Sequence, residues 1–207
     1  MDATLQFKLR VKTEFFILYN YDKLSLEGDL MKHVGTITLE TNRLILRRFE
    51  LNDSHFMFYN WANDDEVTKY MSWLSHTNEN VTKQLLEIWT KDYENINNYQ
   101  WCIVLKETNE PIGSISLFNC KDDIKQVEFG YCISRKCWNK GYTTEALKAV
   151  IDLAFKIGYE RIVGCHMKEN VASGKVMIKN GLTKSTETDG KNNKNEDCTI
   201  IVYELKK

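Results

Sequence analysis

Between Val127 and Ile157 the chain has the residue types and spacing of an anion site. A strand-like apolar run, Val127 to Ile133, leads into Ser134-Arg135-Lys136-Cys137-Trp138-Asn139-Lys140-Gly141-Tyr142, and a helical pattern starts at Thr143 or Thr144. The first amides of a helix have no intrahelical acceptor, and the helix dipole places partial positive charge at the same end. A loop that adds Lys136 and Lys140, with Gly141 allowing close backbone approach, suits a phosphate or diphosphate. The same pattern also describes an ordinary strand-to-helix turn carrying two solvated lysines. A Walker loop is excluded, because no Gly-Lys-Ser/Thr occurs. Six cysteines form no Cys-x-x-Cys pair and four histidines no His-x-x-x-His spacing. No metal is therefore expected, and the thiols read as reduced and buried.

The elements that must position this loop follow from periodicity. Ala146, Leu147, Val150, Ile151, Ala154 and Ile157 form the apolar stripe of a helix, with Lys148, Asp152 and Lys156 on its opposite face. Gly158 is placed for a left-handed stop. Upstream, 37–39 and 43–49 read as one bent or broken strand. Helices are expected over 55–61, 64–70 and 78–93, and strands over 100–106, 112–118 and 126–133. Downstream lie a strand over 161–166 and a helix over 171–180, and the polar run 189–196 reads as a loop. Residues 1–35 show no clear period and read as an N-terminal extension of uncertain structure, ahead of one domain over 36–207. Trp61, Tyr70, Trp73, Trp89 and Tyr93 make the first helical region aromatic, which is more often core than pocket.

Composition narrows the function classes. The 207 residues are 43% hydrophobic and 28% charged, with a formal net charge of -1 and one proline. That is a globular composition with no basic excess, so nucleic acid is not an expected partner. No apolar run nears the roughly 20 residues that cross a bilayer, and no signal-peptide core is present, so a cytoplasmic protein without membrane association is expected.

Several short motifs, taken in order, resemble the GNAT superfamily of acyl-CoA-dependent N-acetyltransferases, and more narrowly its RimJ/RimL-type branch. They are Thr41-Asn42-Arg43-Leu44-Ile45-Leu46-Arg47, Asn63-Asp64-Asp65-Glu66-Val67, Glu128-Phe129-Gly130-Tyr131, Trp138 to Leu147, Asn170-Val171-Ala172-Ser173, and Lys179-Asn180-Gly181-Leu182. The resemblance covers roughly residues 37–205. It implies an α+β fold: a mixed sheet of six or seven mostly antiparallel strands, splayed between the fourth and fifth, with about four helices. Acetyl-CoA is then the co-substrate. Its pantetheine arm is expected on the backbone near Cys132 and Ile133, and its diphosphate on the loop Trp138, Asn139, Lys140, Gly141, Tyr142, Thr143 and Thr144. Trp138 and Thr143 depart from the family's Gln/Arg and Gly/Ala.

The reaction the resemblance implies requires an amine to lose a proton and a thiolate to gain one. Glu128 is the expected base, directly or through water, unless it serves only as a cross-strand partner of a lysine such as Lys125. The family's tyrosine acid would fall at Met177 and is missing, which leaves Ser173 as the nearest hydroxyl, unless it only helps cap its helix. Asn170 is expected both to cap that helix and to contact the cofactor. Gly174, inside the helix, has no sequence-level explanation. The expected acceptor is a protein N-terminal α-amine, for a monomer or homodimer. The alternatives are a small-molecule acceptor such as an antibiotic or polyamine, or a non-catalytic CoA-binding sensor or scaffold.

Overall fold

In the strand Tyr99–Leu105, Trp101 and Ile103 point into one core while Cys102 and Val104 point into another, and all four are buried. A strand covered on both faces reads as a continuous apolar run because neither side of its alternation meets water. It lies third in chain order among the eight strands of a computed structural model that describes residues 31–207. These are β1 (Leu39–Glu40), β2 (Leu44–Arg47), β3 (Tyr99–Leu105), β4 (Glu110–Lys121), β5 (Gln126–Ile133), β6 (Arg161–Met167), β7 (Thr183–Lys191) and β8 (Asp197–Lys206). They form one sheet in the order β1-β2-β3-β4-β5-β6-β8-β7. Every neighbouring pair is antiparallel except β5–β6.

Five α-helices occur among the described residues: α1 (Ser54–Met57), α2 (Asp65–Thr68), α3 (Glu79–Asp92), α4 (Tyr142–Ile157) and α5 (Val171–Lys179). The first continues into a wider turn over Phe58–Ala62. The apolar stripe of α4 packs on the face of Val127, Phe129, Ile103 and Ile115. Trp61, Met57 and Leu86, from the first helical region, cover the other face at Cys102, Val104 and Cys132. Trp61 and Tyr93 are buried, and Trp73 and Trp89 pack half-buried against that second core, so the aromatic helical region is largely core.

The mixed sheet matches the expected class, with corrections to its parts. The segment read as one bent or broken strand turns back on itself, so that Leu39 faces Leu46 across a tight hairpin. Strand β4 extends to Lys121, and β7 takes in Asp189, Gly190 and Lys191, leaving 192–196 as the loop. All nine β7 residues but one are exposed, so no alternation marked them. The expected helix over 64–70 closes after Thr68. The six cysteines are free thiols, but only Cys102 and Cys132 are buried, and Cys165 is exposed. The extension expected over 1–35 lies, through residue 30, outside the described residues. Lys32 donates its amide to Ile157 (2.9 Å), and Thr36 donates its hydroxyl to Asn98 (2.8 Å).

Candidate active site

The parallel joint between β5 and β6 is short. It registers Gln126 with Arg161, Val127 with Ile162 and Glu128 with Val163, and stops there. Beyond it, among the described residues, Phe129–Ile133 pair only with β4, so the sheet forks at Glu128. Counting β1 and β2 as one broken strand, this is the expected splay between the fourth and fifth. Glycine sets the depth of the fork: a Cβ at Gly164 would lie 2.2 Å from Cζ of Phe129, whose ring fills the space.

Glu128 is half-buried at the fork's closed end and accepts a hydrogen bond from Nδ2 of Asn119 (3.2 Å). Asn119 adopts a left-handed φ of 49° in the irregular register that ends β4. Lys125, the lysine weighed as a cross-strand partner for Glu128, pairs with Glu160 at 2.8 Å. By the alternation of β5, Glu128 and Cys132 face the first helical region, while Phe129 and Tyr131 face α4 and α5.

Tyr131 reaches across to α5, where its hydroxyl lies 2.9 Å from Oγ of Ser173 and donates to the Ser173 carbonyl at 3.0 Å. Burial pushes the Tyr131 phenol well above its ordinary pKa, against a smaller opposing effect of the Ser173 bond. Ser173, in the first turn of α5, is thus also bonded to Tyr131. Asn170 caps α5 by accepting the Ser173 amide (3.3 Å). Met177 is buried in the core, as a side chain with no proton to give would be. Gly174 now has its reason: a Cβ there would lie 2.7 Å from Nε2 of His166, a buried ring packed against the helix.

Past the fork, Trp138 donates its indole N–H to the Ile133 carbonyl (3.0 Å), pinning the loop to the end of β5. This fits tryptophan at a position where the family pattern has Gln or Arg. Asn139 (φ 59°) and Gly141 (φ 80°) both take the left-handed conformation, and Gly141 is the N-cap of α4 without any side-chain cap. Among the described residues no side chain caps the first-turn amides of α4, which lie next to the exposed Lys136 and Lys140. Thr143 is buried, and Thr144 gives its carbonyl to Nδ2 of Asn180 (3.2 Å), tying α4 to α5.

Three features had no sequence-level signal beyond the quoted motifs. Arg43 and Thr41, from the β1–β2 turn, hold Glu145 in the first turn of α4. Asp64 pairs with Arg135 at 3.0 Å beside a cleft of about 360 Å³ lined also by Tyr59, Asn60 and Asn63. Asn193, at the tip of the β7–β8 hairpin, donates Nδ2 to the carbonyls of Thr68 (3.0 Å) and Trp73 (3.1 Å), strapping the hairpin to the loop after α2. Among the described residues there is no cluster of three or more metal-ligating groups, and no helix is long and apolar enough to cross a membrane.

A forked mixed sheet with an uncapped helix start beyond the fork is the architecture of an acyl-CoA-dependent acyltransferase. The family model described as the acetyltransferase (GNAT) domain matches residues 43–183, and the chain belongs to that family. It is an acetyl-CoA-dependent N-acetyltransferase. An uncharacterized N-acetyltransferase, p20, of Bacillus licheniformis is 31% identical over 141 residues, which span 68% of this chain and 79% of that protein. The ribosomal-protein-S5-alanine acetyltransferase of Vibrio fischeri superposes with a TM-score of 0.72 at 20% identity, over 82% of this chain and 96% of that one. The microcin C7 self-immunity acetyltransferase MccE, solved with acetyl-CoA and AMP, superposes with a TM-score of 0.73 at 17% identity, over 81% of this chain and 94% of that one.

Proposed function

We propose that the chain acetylates a protein N-terminal α-amine in the cytoplasm, by direct attack of the amine on the thioester in a ternary complex. The observation that carries this reading is the fork itself. It ends at a half-buried carboxylate on one face of β5 and opens toward a hydroxyl pair on the other face. The residues fit an acyl-CoA: among the described residues no strand pairs with the β6-side edge of β5 from Phe129 to Ile133, and the loop from Trp138 to Thr144 brings a left-handed glycine, lysines and a helix start together. Cys132, Ile133 and Asn170 complete the proposed binding set. The thioester supplies the activated acetyl group.

In this mechanism Glu128 accepts the amine proton, directly or through water, as the nitrogen attacks the thioester carbonyl. The C–N bond forms, the C–S bond breaks, and the departing thiolate takes its proton through the Ser173 hydroxyl, which is reprotonated from water in the same relay. Tyr131 stands behind Ser173 and keeps its own proton because its phenol is buried. An α-amine titrates near ~8 and a lysine ε-amine near ~10.4, so at pH 7 roughly a tenth of the former is already neutral. A half-solvated carboxylate is adequate for the first and much less so for the second. Intact-mass detection of acetyl transfer across N-terminal peptides, polyamines, aminoglycosides and free amino acids tests the reading. Transfer to peptide α-amines is expected, and transfer confined to polyamines or aminoglycosides would overturn the acceptor.

A further inference from the structure

Arg43 makes more contacts to the diphosphate loop than a surface residue of a β-turn requires. Its Nε donates to Oε2 of Glu145 (2.7 Å), its backbone N–H to Oε1 of the same carboxylate (2.8 Å), and its Nη1 to the Lys140 carbonyl (2.9 Å). The guanidinium lies over the Tyr142 ring, 4.4 Å from its centroid. The remaining nitrogen, Nη2, has no partner among the described residues and lies 3.5 Å from where a Gly141 Cβ would be. The side chain keeps 41% exposure, and Nη2 is its atom nearest that Gly141 position.

The charge arrangement gives this a function. Glu145 sits in the first turn of α4, where a carboxylate favours the helix dipole but opposes an incoming anion. Burial alone would raise its pKa, yet the bonds from Thr41 and Arg43 outweigh burial and hold it below the ordinary range, so it stays charged. An anionic ligand on these amides therefore needs a cation that cancels Glu145 and still has a donor to spare. A guanidinium meets both demands, since its planar fork satisfies two partners and leaves a third N–H. A lysine offers one point charge that cannot span Glu145, the Lys140 carbonyl and a ligand together.

We propose that Arg43 is a positioning and binding residue of the acyl-CoA diphosphate site: it fixes the Lys140–Gly141 turn, cancels the charge of Glu145, and donates Nη2–H to the diphosphate. This rests on the loop assignment proposed above and extends it to a residue about 100 positions away in the chain.

The test is calorimetric binding of CoA, 3′-dephospho-CoA and pantetheine to wild type, Arg43→Ala, Arg43→Lys and Arg43→Ala/Glu145→Gln. Arg43→Ala should weaken CoA and 3′-dephospho-CoA alike by about 10- to 100-fold, as expected for loss of a charged hydrogen bond. Pantetheine, which lacks the diphosphate, should bind wild type and variant equally. Arg43→Lys should recover only part of the loss, and adding Glu145→Gln to Arg43→Ala should recover part by removing the uncancelled charge. A loss equal for all three ligands would make Arg43 merely structural and overturn the inference. A loss seen with CoA but not with 3′-dephospho-CoA would move the contact to the 3′-phosphate and overturn the diphosphate assignment. If Arg43→Ala does not fold, Arg43→Lys carries the same three-ligand comparison. Wild-type protein that binds no CoA would refute the loop assignment itself, an outcome distinct from normal CoA binding that ignores Arg43.

Discussion

The two faces of β5 are built by different means. The face toward α4 and α5, with the loop beyond it, relies on backbone: open amides, a left-handed glycine, and a strand edge from Phe129 to Ile133. The face toward the first helical region relies on side chains gathered from distant segments: Glu128 held by Asn119, Asp64 paired with Arg135, and Asn193 reaching Thr68 and Trp73. A backbone site tolerates replacement of most side chains but not a change of main-chain conformation. A side-chain site behaves in the opposite way. This contrast teaches where each kind of substitution should hurt, and it matches an enzyme whose donor is constant and whose acceptor is chosen.

The sharpest way to break the contrast is at Gly141. Its φ of 80° disfavours any side chain, and a carboxylate there opposes a diphosphate. Gly141→Asp is expected to weaken CoA binding by at least about 100-fold while the fold survives, as read by calorimetry and circular dichroism. Unchanged affinity in a folded variant would remove the loop from the site.

Glu128→Gln probes the other face. It should lower kcat/KM for an N-terminal peptide by roughly 10²-fold near pH 6.5, the low end of general-base effects. Much of that loss should return as pH rises toward 9, where the α-amine is free without help, and CoA affinity should barely change. A wild-type rate at pH 6.5 would leave proton transfer to water alone.

Gly174→Ala sharpens the comparison from the donor side without touching a proposed ligand contact. Its Cβ would meet Nε2 of His166 at 2.7 Å, so the helix or the ring must shift. A loss of about 1–3 kcal/mol in chemical denaturation is expected, the usual cost of overpacking, although alanine is the better helix former by about 1 kcal/mol. A stabilised variant would show that the ring moves freely.

The smallest effect is expected at His76, on the side-chain face. Desolvation lowers its pKa from 6.5 to about 4, and its Nδ1 lies 2.7 Å from Oγ1 of Thr82. A folded-state value below the unfolded one means the native state resists protonation. The contribution of His76 is therefore complete above about pH 6.5 and is lost as pH falls toward 4. The ring keeps some solvent contact, so about 1 kcal/mol of acid sensitivity is expected over that window, absent in His76→Gln. Equal pH dependence in both proteins would assign the acid sensitivity elsewhere.

The same division governs what can be read from the sequence. The turn and helix start at 138–144 were legible because a glycine and the first positions of the apolar stripe fall within a few residues of each other. The sheet was legible where strands were buried on at least one face. Strand β7 was not, because TKSTETDGK is exposed on nearly every side chain and looks like a loop. The partnership of Arg43 with Glu145 spans 102 positions, and that of Asn193 with Thr68 spans 125. No spacing rule reaches that far. Tyr131 lay within a quoted motif but had no role until the fold brought Ser173 to it.

The fork also changes where the molecule is exposed to unwanted pairing. A sheet normally carries its open hydrogen-bonding groups on two outer strands, and proteins blunt those edges with shortness or charge. Here β1 is two residues long, and β7 carries Lys184, Glu187, Asp189 and Lys191. The apolar open edge is internal, at Phe129 to Ile133, shielded by the Tyr131–Ser173 link and by the ring of Phe129 over Gly164. Any event that peels β6, β7 and β8 from the three-residue joint with β5 lays bare an apolar strand with no charged guard beyond Glu128. Among the described residues the aggregation hazard therefore lies at the centre of the sheet, more than at its short or charged outer rims.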